Sequence, residues 1–361
     1  VARPPVKTLE GNIRTDVLVI GGGMAGVLCA YKLKQAGVEC ILVEAKRVGS
    51  GVTRNTTAKI TAQHGLIYDK IIRMYGVDAA RRYYEANTHA LADYERLSAS
   101  FPCDFESRTA YTYSLTDRQK LEDEAKAYEK LNIKPVFQEQ PPLPFELVGA
   151  LGMEGQAQFN PMKFLLAISS GLDAYEDTFV REIKENTALT RSGTITAKSI
   201  ILATHFPMVN IPGLYFIKMY QHRSYVIAME NAPQLDGMYV DEQETGNSFR
   251  NYKDLLLLGG GDHKTGKKGG GYEELRKLIK SAYPSAVEKF AWATQDCMTL
   301  DGVPYIGVHR KSTPHIYVAT GFNKWGMTGS MVAANVLCDL ITAGKSEYEE
   351  LFSPQRSMMH P

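Results

Sequence analysis

Thr15-Asp16-Val17-Leu18-Val19-Ile20-Gly21-Gly22-Gly23-Met24-Ala25-Gly26 is the stretch that decides the fold of this 361-residue chain. An apolar strand runs straight into a Gly-x-Gly-x-x-Gly turn. Residues 25–36 then read as a helix, and a second apolar strand, 38–43, ends in Glu44. Strand, glycine turn, helix, strand and acid, in that order within roughly thirty residues, make a βαβ unit that binds a dinucleotide. Gly21 permits the tight turn, Gly23 lets the backbone approach a pyrophosphate, and Gly26 lets helix and strand pack closely. The phosphates would rest on the first N–H groups of the helix, at Met24 and Ala25, where the helix dipole favours negative charge. Glu44, with Ala45 beside it, stands where an acid takes a ribose hydroxyl pair. The expected ligand is an adenine dinucleotide.

Composition narrows the class further. The length allows two domains with large cores. A net charge of +1 argues against bulk electrostatic binding of nucleic acid or an anionic membrane. No apolar run is expected to span a membrane, and no charged-then-apolar leader precedes Thr15. Cys29, Cys40, Cys103, Cys297 and Cys338 are odd in number, scattered and without a CxxC pair. They read as reduced thiols of a cytoplasmic protein, with no metal site expected.

Further along, a glycine- and threonine-rich loop occupies 48–58, and one long helix is expected over 68–98. A surface helix is expected over 115–131, and the proline-rich segment 135–144 is a plausible boundary. Asn160-Pro161 should cap and open a helix to about residue 172. Residues 175–183, 194–203, 224–229, 255–258 and 316–320 read as strands. The last leads through a glycine turn into a final helix over 326–343.

Two late segments favour a flavin over a nicotinamide. Ser199-Ile200-Ile201-Leu202-Ala203-Thr204-His205 is a buried-type strand whose small and polar end, Ala203 and Thr204, lies at the ligand-binding edge of a parallel sheet. Thr320-Gly321-Phe322-Asn323-Lys324-Trp325-Gly326-Met327-Thr328 opens a second helix. Its free N–H groups would receive the negative charge that builds on a reduced flavin.

With these residues in view, the chain resembles the FAD-dependent oxidoreductases of the D-amino-acid oxidase, glycine oxidase and sarcosine oxidase group, over 15–58, 155–205 and 299–343. Asn55-Thr56-Thr57-Ala58-Lys59-Ile60-Thr61 and Met219-Tyr220-Gln221-His222-Arg223-Ser224-Tyr225 are most similar to a bacterial subgroup that often carries a C-terminal Rieske iron–sulfur module. Nothing after Phe352 offers the two Cys and two His of such a centre, and His360 stands alone. The resemblance implies an α/β fold: a Rossmann-like FAD domain made of 1–100, 151–213 and 299–361, with a substrate domain of 101–150 and 214–298 on a mixed or antiparallel sheet.

It also implies roles. Gly21, Gly23 and Gly26 would hold the pyrophosphate, Glu44 the ribose, and Val180 the adenine. Thr53, Thr57 and Ala58 would line the middle of the flavin. Gly321, Gly326, Met327 and Thr328 would approach the pyrimidine edge, and Gly302 would also contact the cofactor. His263, Lys324 and Arg223 are the catalytic candidates, Lys324 for a substrate carboxylate. No Arg stands near Asp296 where the amino-acid oxidases keep one, which puts a simple D-amino acid in doubt. Cys297 is a candidate for a covalent flavin link, although non-covalent FAD is expected.

The implied reaction is oxidation of a C–N bond in an amine or amino acid, with oxygen or a Rieske-type or other redox partner as electron acceptor. Two alternatives stay open: a flavin dehydrogenase for another small donor, passing electrons to an iron–sulfur protein or quinone, and a non-catalytic flavin binder. Gly261-Asp262-His263-Lys264-Thr265-Gly266-Lys267-Lys268 has the spacing of a phosphate-binding loop but lacks its Ser or Thr. A glycine triplet also stands where the helix should begin, so a flexible lid is expected there instead.

Overall fold

The computed structural model describes residues 7–209 and 213–356, so His360 lies outside the described residues. Two sheets organise them. The first runs Tyr305–Val308, Ile316–Thr320, Thr194–Leu202, Ile13–Ile20, Cys40–Val43, Ala174–Tyr175. Along this path all neighbours are parallel except the first pair, and an antiparallel hairpin, Glu182–Lys184 with Thr187–Leu189, pairs onto Thr194–Leu202. Its central strands are runs of Val, Ile and Leu because both faces are covered. Leu18, Val19, Ile200, Ile201 and Val318 are all fully buried.

The second sheet runs Val287–Thr299, Met219–Glu230, Leu255–Lys264, Ser248–Tyr252, Gly237–Asp241, Glu106–Ser114, Gly149–Gln158, Lys59–Ile60. It is antiparallel apart from the parallel pair Gly237–Asp241 with Glu106–Ser114. The sequence-based boundaries give 59–60 and 151–158 to the FAD domain, but these residues pair into the second sheet.

Several local expectations change. The long helix divides into Ile67–Tyr75 and Val77–Ser100, because Gly76 sits at φ +86, a conformation no helix continues through. The strand beginning at Leu255 runs on to Lys264, carrying Gly259, Gly260 and Gly261 within it. The expected lid is therefore half strand. A helix does begin at Gly271, yet the glycine-lysine segment before it is no phosphate loop, since its first part is held in the ladder opposite Arg223 and His222.

Asn160 caps its helix as expected, its side-chain oxygen accepting from the N–H groups of Met162 and Lys163 at 3.1 Å each. Against the expectation for apolar runs, Gly326–Ala343 has the length and mean hydropathy (1.2) of a membrane span. It is nonetheless 61% buried inside the protein, packed on Met24–Gln35 and Val77–Ser100.

Candidate active site: a cavity between the two sheets

The glycine turn separates into positions that the protein itself requires and one that it does not. A Cβ on Gly26 would lie 1.8 Å from the Gly21 carbonyl oxygen, and one on Gly21 (φ +114) 2.4 Å from that of Ala203. Both glycines are demanded by backbone packed against backbone. Gly23 differs: a Cβ there meets only the Thr53 hydroxyl, at 3.4 Å, and otherwise faces open space. Gly23 is also the N-cap of Met24–Gln35, in extended conformation, with no side-chain cap and no acid in the first turn. A helix start with no side chain at its N-cap and bare backbone before it is a site for an anion. The surrounding loop is fixed by Glu44, which accepts from the N–H groups of Gly22 (2.7 Å) and Lys46 (2.9 Å), and by Thr53, which accepts from Met24 N–H at 3.0 Å.

From this turn a cavity of about 990 Å³ extends to the second sheet. That volume is at the upper end for small-molecule sites. Among the residues named from sequence, Gly21, Gly23, Met24, Ala25, Glu44, Ala45, Thr53, Thr57, Val180, Ala203, Thr204, Gly326, Met327 and Lys324 line it. Gly26, Ala58, Gly302, Gly321 and Thr328 do not. Gly26 and Gly321 are packed against protein, and Gly302 lends its carbonyl to Asn323. Ala58, at φ +54, gives its carbonyl to the buried Arg250, and Thr328 gives its hydroxyl to the Thr61 carbonyl. The second helix start, at Gly326, is also uncapped and free of acids, and it opens on the same cavity.

The far wall is built by strand register. Thr294, Asp296 and Met298 alternate along Val287–Thr299 and so share one face, which the cavity meets. Across the ladder Ser224 stands opposite Thr294 and His222 opposite Asp296. Asp262 and Lys324 complete this end.

Its polar atoms are under-used. Ser224 Oγ, Thr294 Oγ1, Asp262 Oδ1 and His222 Nδ1 are buried with no hydrogen-bond partner among the described residues. Such groups are costly unless a ligand or water meets them. Asp296 is likewise without a hydrogen bond or ion pair among the described residues. Its exposed surface is cavity surface, and burial pushes its carboxyl up to about 7, with Lys324 pulling down and Asp262 pushing up.

Three catalytic candidates are placed differently from one another. Lys324 reaches the cavity, but its ammonium is already bound to Asp262 and to the Glu244 carbonyl, so it is not a free clamp for a substrate carboxylate. His263 lies one layer back, its Nε2 3.1 Å from the hydroxyl of the cavity-lining Tyr225. Arg223 is not among the lining residues.

Sequence reading passed over Lys59 and His64, both on the wall. Burial, with Arg250 and Lys324 nearby, pushes the Lys59 ammonium down to about 7. Among the described residues its ammonium hydrogen-bonds to the Thr57 hydroxyl, at 3.2 Å. His64 is stacked on Trp325, its burial drives the imidazole down to about 3, and it is neutral. Its Nε2 faces the Thr61 carbonyl at 2.7 Å, which can only accept, so Nε2 carries the proton and Nδ1 accepts from Tyr83. Cys297 alternates with Asp296 and points the other way, into the apolar cluster with Tyr215, Met219 and Tyr305. Burial raises its thiol to about 12, the reverse of a reactive cysteine. No group of three or more His, Cys, Asp or Glu suited to a metal occurs among the described residues.

Comparison with known proteins agrees with this geometry. The sequence profile of the DAO family, described as FAD dependent oxidoreductase, matches residues 16–340. The chain is 37% identical over 382 residues to YhfW of Bacillus subtilis (strain 168), named as a Rieske 2Fe-2S iron–sulfur protein, covering 99% of this chain and 74% of that protein. The glycine oxidase structure from Geobacillus kaustophilus superposes with a TM-score of 0.80 at 18% identity, over 96% of this chain and 100% of that one. The L-proline dehydrogenase structure from P. horikoshii gives 0.79 at 17% identity, over 96% and 98%. Uncapped helix starts, a Gly23 position left open for a ligand and a profile match along nearly the whole chain converge: this protein is an FAD-dependent oxidoreductase of the DAO family.

Proposed function

We propose that the enzyme oxidises a C–N bond of a small amine or amino acid. The observation that carries this reading is the continuity of the cavity, which joins the bare Gly23 cradle to a wall of unpaired polar side chains on the second sheet. Bound FAD supplies a two-electron acceptor for a hydride leaving the carbon that carries the nitrogen. The protein's part is positioning. Gly21, Gly23, Met24 and Ala25 hold the pyrophosphate, Glu44 takes the ribose, and Val180 takes the adenine. The helix start at Gly326 and Met327 faces the flavin ring. Ser224, Thr294 and Asp296 hold the donor, and the enclosing sheets keep water from it. Positioning of this kind supplies much of the rate in hydride transfer.

The electron acceptor is either oxygen or a separate redox protein. The name of the Bacillus subtilis relative favours the second, and reoxidation of reduced enzyme in air distinguishes them. Reduced thiols are consistent with a cytoplasmic setting, since all five cysteines are free.

The test is an anaerobic screen of amines and amino acids against the FAD-loaded protein. Bleaching of the flavin by members of these classes is expected. Bleaching only by alcohols or hydroxy acids would replace the reading with a dehydrogenase for another donor. No bleaching by any donor, with FAD bound, would leave a non-catalytic flavin binder.

A further inference from the structure

We propose that Asp296 is the ammonium-binding residue of the substrate site, so that the substrate enters as a cation held between Asp296 and the hydroxyls of Ser224 and Thr294. This rests on the oxidation of a C–N bond proposed above and names how the nitrogen is recognised.

Charge comes first. At this end of the cavity the carboxylates of Asp262, Asp296 and Glu244 gather around the ammonium of Lys324, and Lys59 lines the same cavity. Lys324 is committed to Asp262, whose side chain is only 5% exposed. Asp296 is left over, half-buried on the cavity wall and without a hydrogen bond or ion pair among the described residues. Lys324 offsets its charge only from beyond ion-pair distance and is itself bound to Asp262, so an ionised Asp296 facing the cavity is favoured by a cation from outside the protein.

The neighbouring atoms fit an ammonium rather than a metal or an anion. Ser224 Oγ and Thr294 Oγ1 are unpaired and lie on directly opposed register positions, two residues along the ladder from the His222 and Asp296 pair and on the same face. Carboxylate and hydroxyl oxygens all accept from N–H, and an ammonium brings two or three such donors. An anion placed here would face Asp296, Asp262 and Glu244, with Lys324 already bound to Asp262 and Lys59 pushed by burial toward its neutral form.

The same carboxylate suits the chemistry. A protonated nitrogen has no lone pair with which to form C=N. The substrate ammonium therefore passes one proton to Asp296. The C–H bond then breaks, its hydrogen and electron pair leave as hydride for the flavin, and the nitrogen lone pair forms the C=N bond.

Several titrating or charged groups face Asp296. They are His222 across the ladder, Asp262 on Leu255–Lys264, Lys324 from the turn before the last helix, and Glu244, whose carboxylate stands 3.5 Å from His222. His222 is driven down by burial and by Lys324, so it stays neutral over the working range. Cation affinity should accordingly rise with pH through about 7, as Asp296 ionises, and then level off.

The experiment uses FAD-loaded protein and a cation that cannot be oxidised. tert-Butylammonium has no hydrogen on the carbon bearing nitrogen, so it reports binding without turnover through the flavin absorbance. Acetate is the anionic counterpart. In the wild type tert-butylammonium should perturb the spectrum saturably, at concentrations about tenfold or more below those acetate requires. Asp296→Asn should weaken the cation about tenfold to a hundredfold, the loss expected for one charge-assisted bond, while Asp296→Glu keeps most of it. Absence of a perturbation by the cation, tighter binding of acetate, or an unchanged affinity in Asp296→Asn would each overturn the proposal. If Asp296→Asn fails to take up FAD, the wild-type contrast of cation against anion decides alone. Because nothing turns over, a failed substrate screen does not alter this readout.

Discussion

The two ends of the cavity are built by different means. The glycine end is made of backbone: Gly21 and Gly26 are fixed by carbonyl oxygens 2.4 and 1.8 Å from where a side chain would begin, and what they present is a bare helix start. The far end is made of side chains, contributed by three strands and one turn that lie far apart in the chain. The first end tolerates almost no change and accepts any molecule with the same pyrophosphate. The second end is built from side chains, so a substitution there changes the wall while leaving the backbone ladder in place. The cofactor is therefore set by backbone geometry, and the substrate by which side chains the register happens to bring together.

The sharpest way to break this contrast is at Gly26. Gly26→Val drives a side chain into the Gly21 carbonyl, and backbone cannot move aside as a flexible side chain does. Destabilisation beyond the ~1–3 kcal/mol typical of overpacking is expected, with protein that is insoluble or unfolded by circular dichroism. A folded, FAD-loaded Gly26→Val would mean that the turn is more plastic than its packing indicates.

A smaller effect is expected at the Lys324 and Asp262 pair. Breaking a fully buried pair costs about 3–5 kcal/mol, and since Lys324 is 28% exposed, Lys324→Met should cost about 1–3 kcal/mol. Adding Asp262→Asn should recover more than half, because it removes the stranded charge. Urea unfolding of the three variants measures this, and simple additivity would show that the pair is not coupled.

The smallest effect belongs to Cys297. Its side chain packs away from the cavity, so in both wild type and Cys297→Ser heat or acid should release all the flavin into the supernatant. Flavin retained by denatured wild type and lost from the variant would place a covalent link there.

The same contrast explains what was legible in the sequence. The strand, glycine turn, helix and acid are contiguous, and each of their constraints is local, so the unit could be read directly. So could the Asn160 cap and the final helix Gly326–Ala343. Lys324 was legible as a cation near the flavin, but its partner Asp262 was hidden inside a glycine-rich segment that reads as a loop. Its strand character comes from pairing with Met219–Glu230, a tertiary effect.

Asp296 was noticed only for the Arg missing beside it. The alternation of Thr294, Asp296 and Met298 was the available signal, and it points to a wall only once the strand and the cavity are known. Lys59 looks like an ordinary surface lysine until Lys59–Ile60 is paired at the edge of the second sheet. His64 carried no motif at all.

The most direct test of the account is the visible spectrum and FAD content of wild type beside Gly23→Val. Gly23 is the one cradle glycine where an added Cβ meets no protein atom closer than 3.4 Å, so the chief obstacle to a side chain there is a bound pyrophosphate. Wild type should be yellow with one FAD per chain, and Gly23→Val should fold, keep its circular dichroism and be colourless. A Gly23→Val protein that retains one FAD per chain would contradict it.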